Sequence, residues 1–182
     1  DGGAILSTDE TLYRKMKSIA NHGAERKYHH WRVGVNSRLD AIQAAVLRVK
    51  LNHLREYTSA RRTAASRYDE LFDHVPAVTT PHRAGNRRHV FHQYTVKVDG
   101  SGSSTRDDLS DHLDDRGIPH AVYYPVPLHD LPVFEQMSDT RPSLPAAERC
   151  SEQVLSLPMH TELIPAQQEK VAMTGDCVEG DT

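Results

Sequence analysis

Cysteine is nearly absent from this chain of 182 residues: only Cys150 and Cys177 occur, and they form no close-spaced motif. Neither a disulfide framework nor a zinc ribbon can be built from them, and neither is flanked by groups that activate a thiol. This usage suits a reducing cytoplasmic location. Long apolar runs are absent too, since no stretch approaches the roughly 20 apolar residues of a membrane-spanning helix. There is no Gly-x-Ser-x-Gly elbow, no P-loop and no Gly-x-Gly-x-x-Gly fingerprint, which excludes the common nucleophile and phosphate-cradling signatures. A signal peptide and an initiator Met are also missing. The opening Asp1-Gly2-Gly3-Ala4-Ile5-Leu6 reads as a turn running into a short buried strand over residues 2–6. That start leads us to expect a missing N-terminal part.

Charge is unevenly shared. Residues 1–68 hold 13 Lys and Arg against 6 Asp and Glu, whereas residues 69–182 hold 9 against 19. The basic first part predicts an anionic ligand or partner; the plainer alternative is that the two parts complement each other or a second subunit. The basic residues are spread along helices without interleaved aromatics, so nucleic acid is not an expected partner. Twelve histidines invite a metal, but their spacing argues against one. His89 and His92 fall on opposite faces of an expected strand, His29 and His30 are adjacent, and no pair has helical spacing followed by a carboxylate.

Periodicity and turn residues predict the elements. Ser7-Thr8-Asp9-Glu10 reads as a capping box opening a helix from about Asp9 to Ala20, with Leu12, Met16 and Ile19 on one face. Asn21-His22-Gly23 is a helix stop. Residues 24–36 form a polar loop rich in side chains that bind ligands. A long helical stretch runs from Arg38 to about His74, bent near Asn52-His53, with Leu39, Ile42, Val46 and Val49 as its first apolar stripe. Val90–Val98 alternates as a strand. Thr105 and Asp108 open a helix with Leu109 and Leu113 inward, closed by Gly117 and Pro119. A proline-punctuated extended stretch over 119–128, a helix over about 146–154, a strand over 155–157 and a helix from Pro165 follow. The tail 174–182 has no apolar period and is expected to fray. Alternating helices and strands indicate an α/β or α+β class.

Two segments carry candidate chemistry. In Gly34-Val35-Asn36-Ser37-Arg38-Leu39-Asp40, Ser37 and Asp40 have capping-box spacing, and Gly34 lends the preceding loop freedom. Arg38 then falls in a first helical turn, where the peptide dipoles already supply positive charge. Free backbone N–H groups, the Asn36 amide and the Arg38 guanidinium would converge there as an anion site. The alternative is that Arg38 points into solvent or pairs with Asp40. In Ala121-Val122-Tyr123-Tyr124-Pro125-Val126-Pro127-Leu128-His129, two prolines stiffen a loop whose tyrosines and histidine present polar tips. Such a loop either lines a ligand pocket or packs its tyrosines in a core.

These segments together resemble the DegT/DnrJ/StrS family of sugar aminotransferases, which use pyridoxal 5'-phosphate (PLP). The resemblance covers about residues 1 to 172. It rests on Asp1-Gly2-Gly3-Ala4-Ile5, Asn21-His22-Gly23, Gly34 to Asp40 with Gln43-Ala44-Ala45, Tyr124-Pro125-Val126-Pro127-Leu128-His129 and Leu155-Ser156-Leu157-Pro158-Met159-His160, in that order. Within the family, residues 27–38 are similar to the enzymes that aminate UDP-2-acetamido-2-deoxy-3-oxoglucuronate.

The resemblance implies an α/β, aspartate aminotransferase-like PLP fold type I, present as a C-terminal fragment. Residues 1–55 would be the end of the large PLP-binding domain and residues 56–182 the small α+β domain. It implies a homodimer through the PLP site and transfer of an amino group, usually from glutamate, to a keto nucleotide sugar. Asn36 matches the residue that reaches the PLP phosphate of the other subunit. Arg38 matches a substrate-contacting position, where it would face a sugar carboxylate. Tyr123 and Tyr124 fall where such enzymes often carry His-Tyr near the sugar, and His129 belongs to the same loop. The family's Schiff-base lysine lies upstream of Asp1, and Lys15, Lys17, Lys27, Lys50, Lys97 and Lys170 match no such position. The chain alone is therefore expected to be inactive and to aggregate through apolar surface that the missing sheet would cover. Two alternatives stand beside this reading. One is a PLP-dependent sugar dehydratase of the same family, with histidine replacing the upstream lysine. The other is a non-catalytic dimerisation or binding module.

Overall fold

Asp9, rather than Ser7, starts the first helix. Its carboxylate accepts from the Thr11 and Leu12 N–H groups at 2.8 and 3.1 Å, which satisfies two of the donors a helix start leaves open. Ser7 sits too far upstream, and its hydroxyl takes the Asp9 N–H instead. The computed structural model describes residues 3–100, 104–135 and 141–175. Most of the expected frayed tail, from residue 176 onward, lies outside them. The chain divides into two compact units, Asp1–Leu54 and Arg55–Thr182.

The first unit holds α1 (Glu10–Ala20), a small antiparallel hairpin of β1 (Ala24–Arg26) and β2 (His29–His30), and α2 (Ala41–Asn52). The expected polar loop over 24–36 is thus partly a hairpin, turned at Tyr28 with φ +69°. Residues 3–6 form no strand, and Ile5 and Leu6 are 76% and 93% exposed. A strand needs a neighbour for its N–H and C=O groups, and no described residue supplies one. No residue of α2 is buried, so the stripe of Ile42, Val46 and Val49 lies open, as do Leu12 and Ile19 of α1. His53 ends α2, its N–H turning back to the Lys50 carbonyl at 3.0 Å, so the expected long helix is interrupted where the bend was read.

The second unit opens with α3 (Leu54–Phe72) and continues through β3 (Val78–Thr79), β4 (Tyr94–Val98) and α4 (Arg106–Asp115). It closes with α5 (Pro132–Glu135), α6 (Pro145–Gln153), β5 (Val154–Leu157) and α7 (Pro165–Gly175). The sheet is antiparallel in the order β3-β4-β5, with Tyr94 opposite Leu157 and Val96 opposite Leu155. Period-2 alternation sends Tyr94, Val96 and Val98 to one face, all buried. Against them pack Tyr68 and Phe72 of α3, Leu109 and Leu113 of α4, and Val171 and Ala172 of α7. Tyr68 and Tyr94 meet at 4.9 Å between ring centroids. Their hydroxyls donate to the Pro158 carbonyl at 3.1 Å and to Asp69 at 2.6 Å, as buried phenols require.

Thr105 and Asp108 form the capping box the sequence predicts, and Leu109 and Leu113 point inward. The strand expected over 90–98 begins only at Tyr94. Phe91 takes φ +51°, which breaks the extended geometry, and Arg61 claims the His92 carbonyl that a ladder would use. His89 and His92 therefore do not share a strand. The short elements β3 and α5 carry no sequence signal that anticipates them.

Leu113 is fully buried whereas Ile42 is 79% exposed. Leu113→Ala should lower unfolding stability by about 2–5 kcal/mol, and Ile42→Ala should change it by no more than about 0.5 kcal/mol. Denaturant titration followed by far-UV circular dichroism reads both.

Candidate functional site

Two glycines bring the first candidate site together. Gly23 and Gly34 lie where backbone crosses backbone. A Cβ on Gly23 would overlap the Arg32 carbonyl, and one on Gly34 would overlap the Gly23 nitrogen and stand 2.6 Å from the Ile19 carbonyl oxygen. Gly34 therefore serves close approach rather than loop freedom. Gly23 does both, at φ +75°. The crossing lets residues 35–37 pair with the C-terminal end of α1: Val35 N–H reaches Ile19 O at 2.8 Å, Ser37 N–H reaches Ala20 O at 3.0 Å and His22 N–H reaches Val35 O at 2.9 Å. Carbonyls that a helix end leaves open are satisfied this way.

Asn36 and Arg38 project from this stitched segment. Arg38 lies two residues before Asp40, which is itself the N-cap of α2 and accepts the Gln43 N–H at 2.8 Å. The expected placement of Arg38 in a first helical turn, capped by Ser37, is corrected by this geometry. Asp40 stands directly before Ala41, the first residue of α2, and three residues beyond Ser37, whose N–H is held by α1. Arg38 does not pair with Asp40. Its Nε donates to Asn36 Oδ1 at 3.1 Å, so the two residues act as a couple. That bond fixes the amide orientation of Asn36 and leaves its Nδ2 hydrogens and the terminal guanidinium nitrogens without partners among the described residues.

Arg38 lines a cavity of 750 Å³ together with Tyr13, Arg14, Lys17, Ser18 and Asn21. Two carboxylates also reach it, Glu10 and Glu25. Glu10 is held by Arg14 at 2.8 Å, which also raises the Arg14 pKa, and Glu25 by Arg32 at 3.0 Å. Among the described residues Lys17 meets Tyr13 alone, its hydroxyl at 3.3 Å and its ring, and Arg38 only the Asn36 amide. Local charge is thus positive by two side chains, which favours an anion. The Ser18 hydroxyl is buried, lines the cavity and has no hydrogen-bond partner among the described residues. Tyr13, Lys17 and Ser18 carry no motif that sequence reading could have found.

The second candidate segment lies in the other unit. Ala121 exchanges hydrogen bonds with Ser156 at 3.1 and 2.7 Å, fixing where the proline-punctuated loop leaves β5. Tyr123 and Tyr124 then stand outward, 47% and 75% exposed, with ring centroids 6.2 Å apart. They do not pack in a core. Tyr123 lines a shallow depression of 390 Å³ with His92, Gln93, His120 and Met159. His120 is a member the sequence did not single out, and His92 was weighed there only as a metal ligand.

His129 is placed elsewhere. It sits in a single helical turn, Leu128–Asp130, with Nε2 3.2 Å from Glu148 and 3.6 Å from Asp130. Asp130 is gripped by Arg141. The Leu144 N–H and His129 hold the Glu148 carboxyl below the usual carboxylate range, and Arg141 does the same for Asp130. Among the described residues no three His, Cys, Asp or Glu side chains form a metal-binding group, and no helix is long and apolar enough to cross a membrane.

Residues 1–174 match the model of the DegT/DnrJ/EryC1/StrS aminotransferase family. The chain belongs to that family. The resemblance read from the ordered motifs is borne out, and so is the fold: a mixed α/β part of the PLP-dependent aminotransferase fold type I. The chain is 43% identical over 173 residues to a pleiotropic regulatory protein of Geobacillus stearothermophilus, covering 94% of this chain and 45% of that one. It is 41% identical over 163 residues to the UDP-2-acetamido-2-deoxy-3-oxo-D-glucuronate aminotransferase of Pseudomonas aeruginosa, covering 90% and 43%. Among solved structures, DesV of S. venezuelae in complex with a ketimine intermediate superposes with TM-score 0.85 at 35% identity, covering 97% of this chain and 47% of DesV. The chain spans less than half the length of these relatives.

Gly34→Ala should separate residues 35–37 from α1. Hydrogen exchange should show the Val35 and Ser37 amides losing protection by on the order of tenfold or more, while amides of β4 keep theirs. In the other unit, Glu148 contributes stability that is fully present above the unfolded carboxylate pKa of about 4.3. That contribution disappears as pH falls through the lower folded value. Glu148→Gln should flatten the acid limb of a plot of urea midpoint against pH.

Proposed function

We propose that this chain is the C-terminal portion of a PLP-dependent aminotransferase that moves an amino group, with glutamate as donor, onto the keto group of a nucleotide sugar. The observation that carries this reading is the Asn36–Arg38 couple, whose Arg38 lines a cavity where, among the described residues, Lys17 and Arg38 have no carboxylate partner. The relatives' names support the substrate class: one acts on a UDP-linked 3-oxo-glucuronate, and another, in Streptomyces venezuelae, is a dTDP-3-amino-3,4,6-trideoxy-alpha-D-glucose transaminase. We place the end of the large domain at residues 1–55 and the small domain at 56–182, a division supported by the contact boundary at Leu54.

The donors present fit the phosphate end of PLP. With Oδ1 occupied by Arg38, Asn36 keeps its Nδ2 as a donor, and the Ser18 hydroxyl is a second donor without an acceptor among the described residues. No described lysine matches the cofactor-bonding position, so this chain contributes the phosphate-holding side of a site completed by residues outside it. Bound PLP would supply a conjugated system that takes up electron density from the amino donor and passes it to the carbon being aminated. Asn36 holds the phosphate across the interface of a homodimer. Arg38 orients the sugar, its planar fork matching a carboxylate with two parallel hydrogen bonds. Tyr123 and Tyr124, exposed on the small-domain loop, contact the nucleotide sugar on this reading. His129 acts through that loop, which it anchors to α6 by Glu148. The protein works in the cytoplasm on this reading.

In the full-length protein, Arg38→Ala should raise KM for the nucleotide sugar by about tenfold or more, the loss expected for a charge-assisted bidentate contact of about 1.5–3 kcal/mol. PLP should stay bound through dialysis. Asn36→Ala should release PLP on dialysis, read from its visible absorbance. Equal loss of both properties from either substitution overturns the division of roles.

A further inference from the structure

The loop between β3 and β4 forms a second basic pocket, far along the chain from Arg38. It encloses 330 Å³ and is lined by Arg62, Arg83, Arg87, Arg88, His82 and His89 over the ring of Phe91. That volume lies at the small end of ligand pockets, roughly 300–1,000 Å³. No lining residue is acidic.

The pocket is built rather than draped. Arg62 of α3 donates from Nε to the His89 carbonyl at 2.7 Å and from a terminal nitrogen to the Arg88 carbonyl at 3.2 Å. Arg83 bonds Asp69 at 2.5 Å and lies over the buried Phe91 ring at 4.7 Å. His89 accepts the Phe91 N–H at 2.9 Å and packs on the same ring. These contacts hold the loop backbone while Arg87, Arg88 and His82 keep no side-chain partner among the described residues. The nearby carboxylate, Asp69, is already shared between Arg83 and the Tyr94 hydroxyl. Like charges gathered without counter-charge repel one another, and a bound anion removes that cost.

We propose that this pocket binds a diphosphate group, independently of the amination reading above. Arginine forks match phosphate oxygens bidentately. Each phosphoryl group carries about 1.5 to 2 negative charges near neutral pH. Two in line therefore balance the guanidinium groups left after the Asp69 pair better than one carboxylate does.

Isothermal titration of the full-length protein with sodium pyrophosphate and with UDP tests this. One equivalent of pyrophosphate should bind, more weakly at about 200 mM than at about 50 mM salt. The double variant Arg87→Gln/Arg88→Gln should lose about tenfold or more in affinity, or about 1.4 kcal/mol, with an unchanged circular dichroism spectrum. UDP binding as pyrophosphate does supports phosphoryl recognition alone, and UDP binding much more tightly supports a nucleoside diphosphate as the carrier. Absence of pyrophosphate binding, full affinity in the double variant, or binding of heparin alone overturns the proposal. So does a loss of pyrophosphate binding caused by Arg38→Gln instead, which would assign the anion to the first cavity.

Discussion

Backbone touches backbone at Gly23 and Gly34, and the first unit is arranged around that contact. The two segments come so close that either Cβ would overlap main-chain atoms. The helix end, the hairpin and the segment carrying Asn36 and Arg38 are all tied through it. Trp31 N–H reaches the Gly23 carbonyl at 3.0 Å, and the His30 ring meets the His22 carbonyl at 2.9 Å. This positioning is done by main-chain hydrogen bonds, which fix direction as well as distance. A polar couple that must meet an anion is thereby held on a rigid edge.

The second unit is governed differently, by apolar burial around Tyr68, Tyr94 and Leu113. Neighbouring arginines of α3 link that core to the surface. Arg61 holds the carbonyls of His92 and Met159, beside the depression that Tyr123 lines, while Arg62 holds those of Arg88 and His89, beside the basic pocket. Two adjacent side chains on one helix thus set the two sides of a single loop. Among the described residues the first unit has no comparable core, and the apolar faces of its helices are open.

Local chemistry made much of this legible. The Thr105–Asp108 box, the stop at Asn21-His22-Gly23 and the elements from residue 145 onward follow from short-range rules, and the structure keeps them. Two of the misreadings share a cause: a distant segment claimed a group that local rules had assigned nearby. Ser37 was passed over as a cap because its N–H serves α1, leaving Asp40 to start the helix. The strand over 90–98 was shortened because Arg61 took a carbonyl from it. Ordered motifs identified the family, and they placed Asn36 and Arg38 together. The cavity beside Arg38 was invisible, since Lys17 and Ser18 become part of it only when residues 35–37 fold back on α1.

Tyr68 and Tyr94 have a consequence beyond packing. Burial pushes both phenols far above their ordinary range, aided for Tyr94 by the bonded Asp69 carboxylate. In the unfolded chain they would ionise near pH 10. Above that pH the unfolded state releases protons that the native core retains, so the native state loses stability with every further rise. Alkali thus attacks the core of the second unit through its aromatic hydroxyls, and phenolate absorbance from these two rings reports opening of the interior rather than simple surface titration.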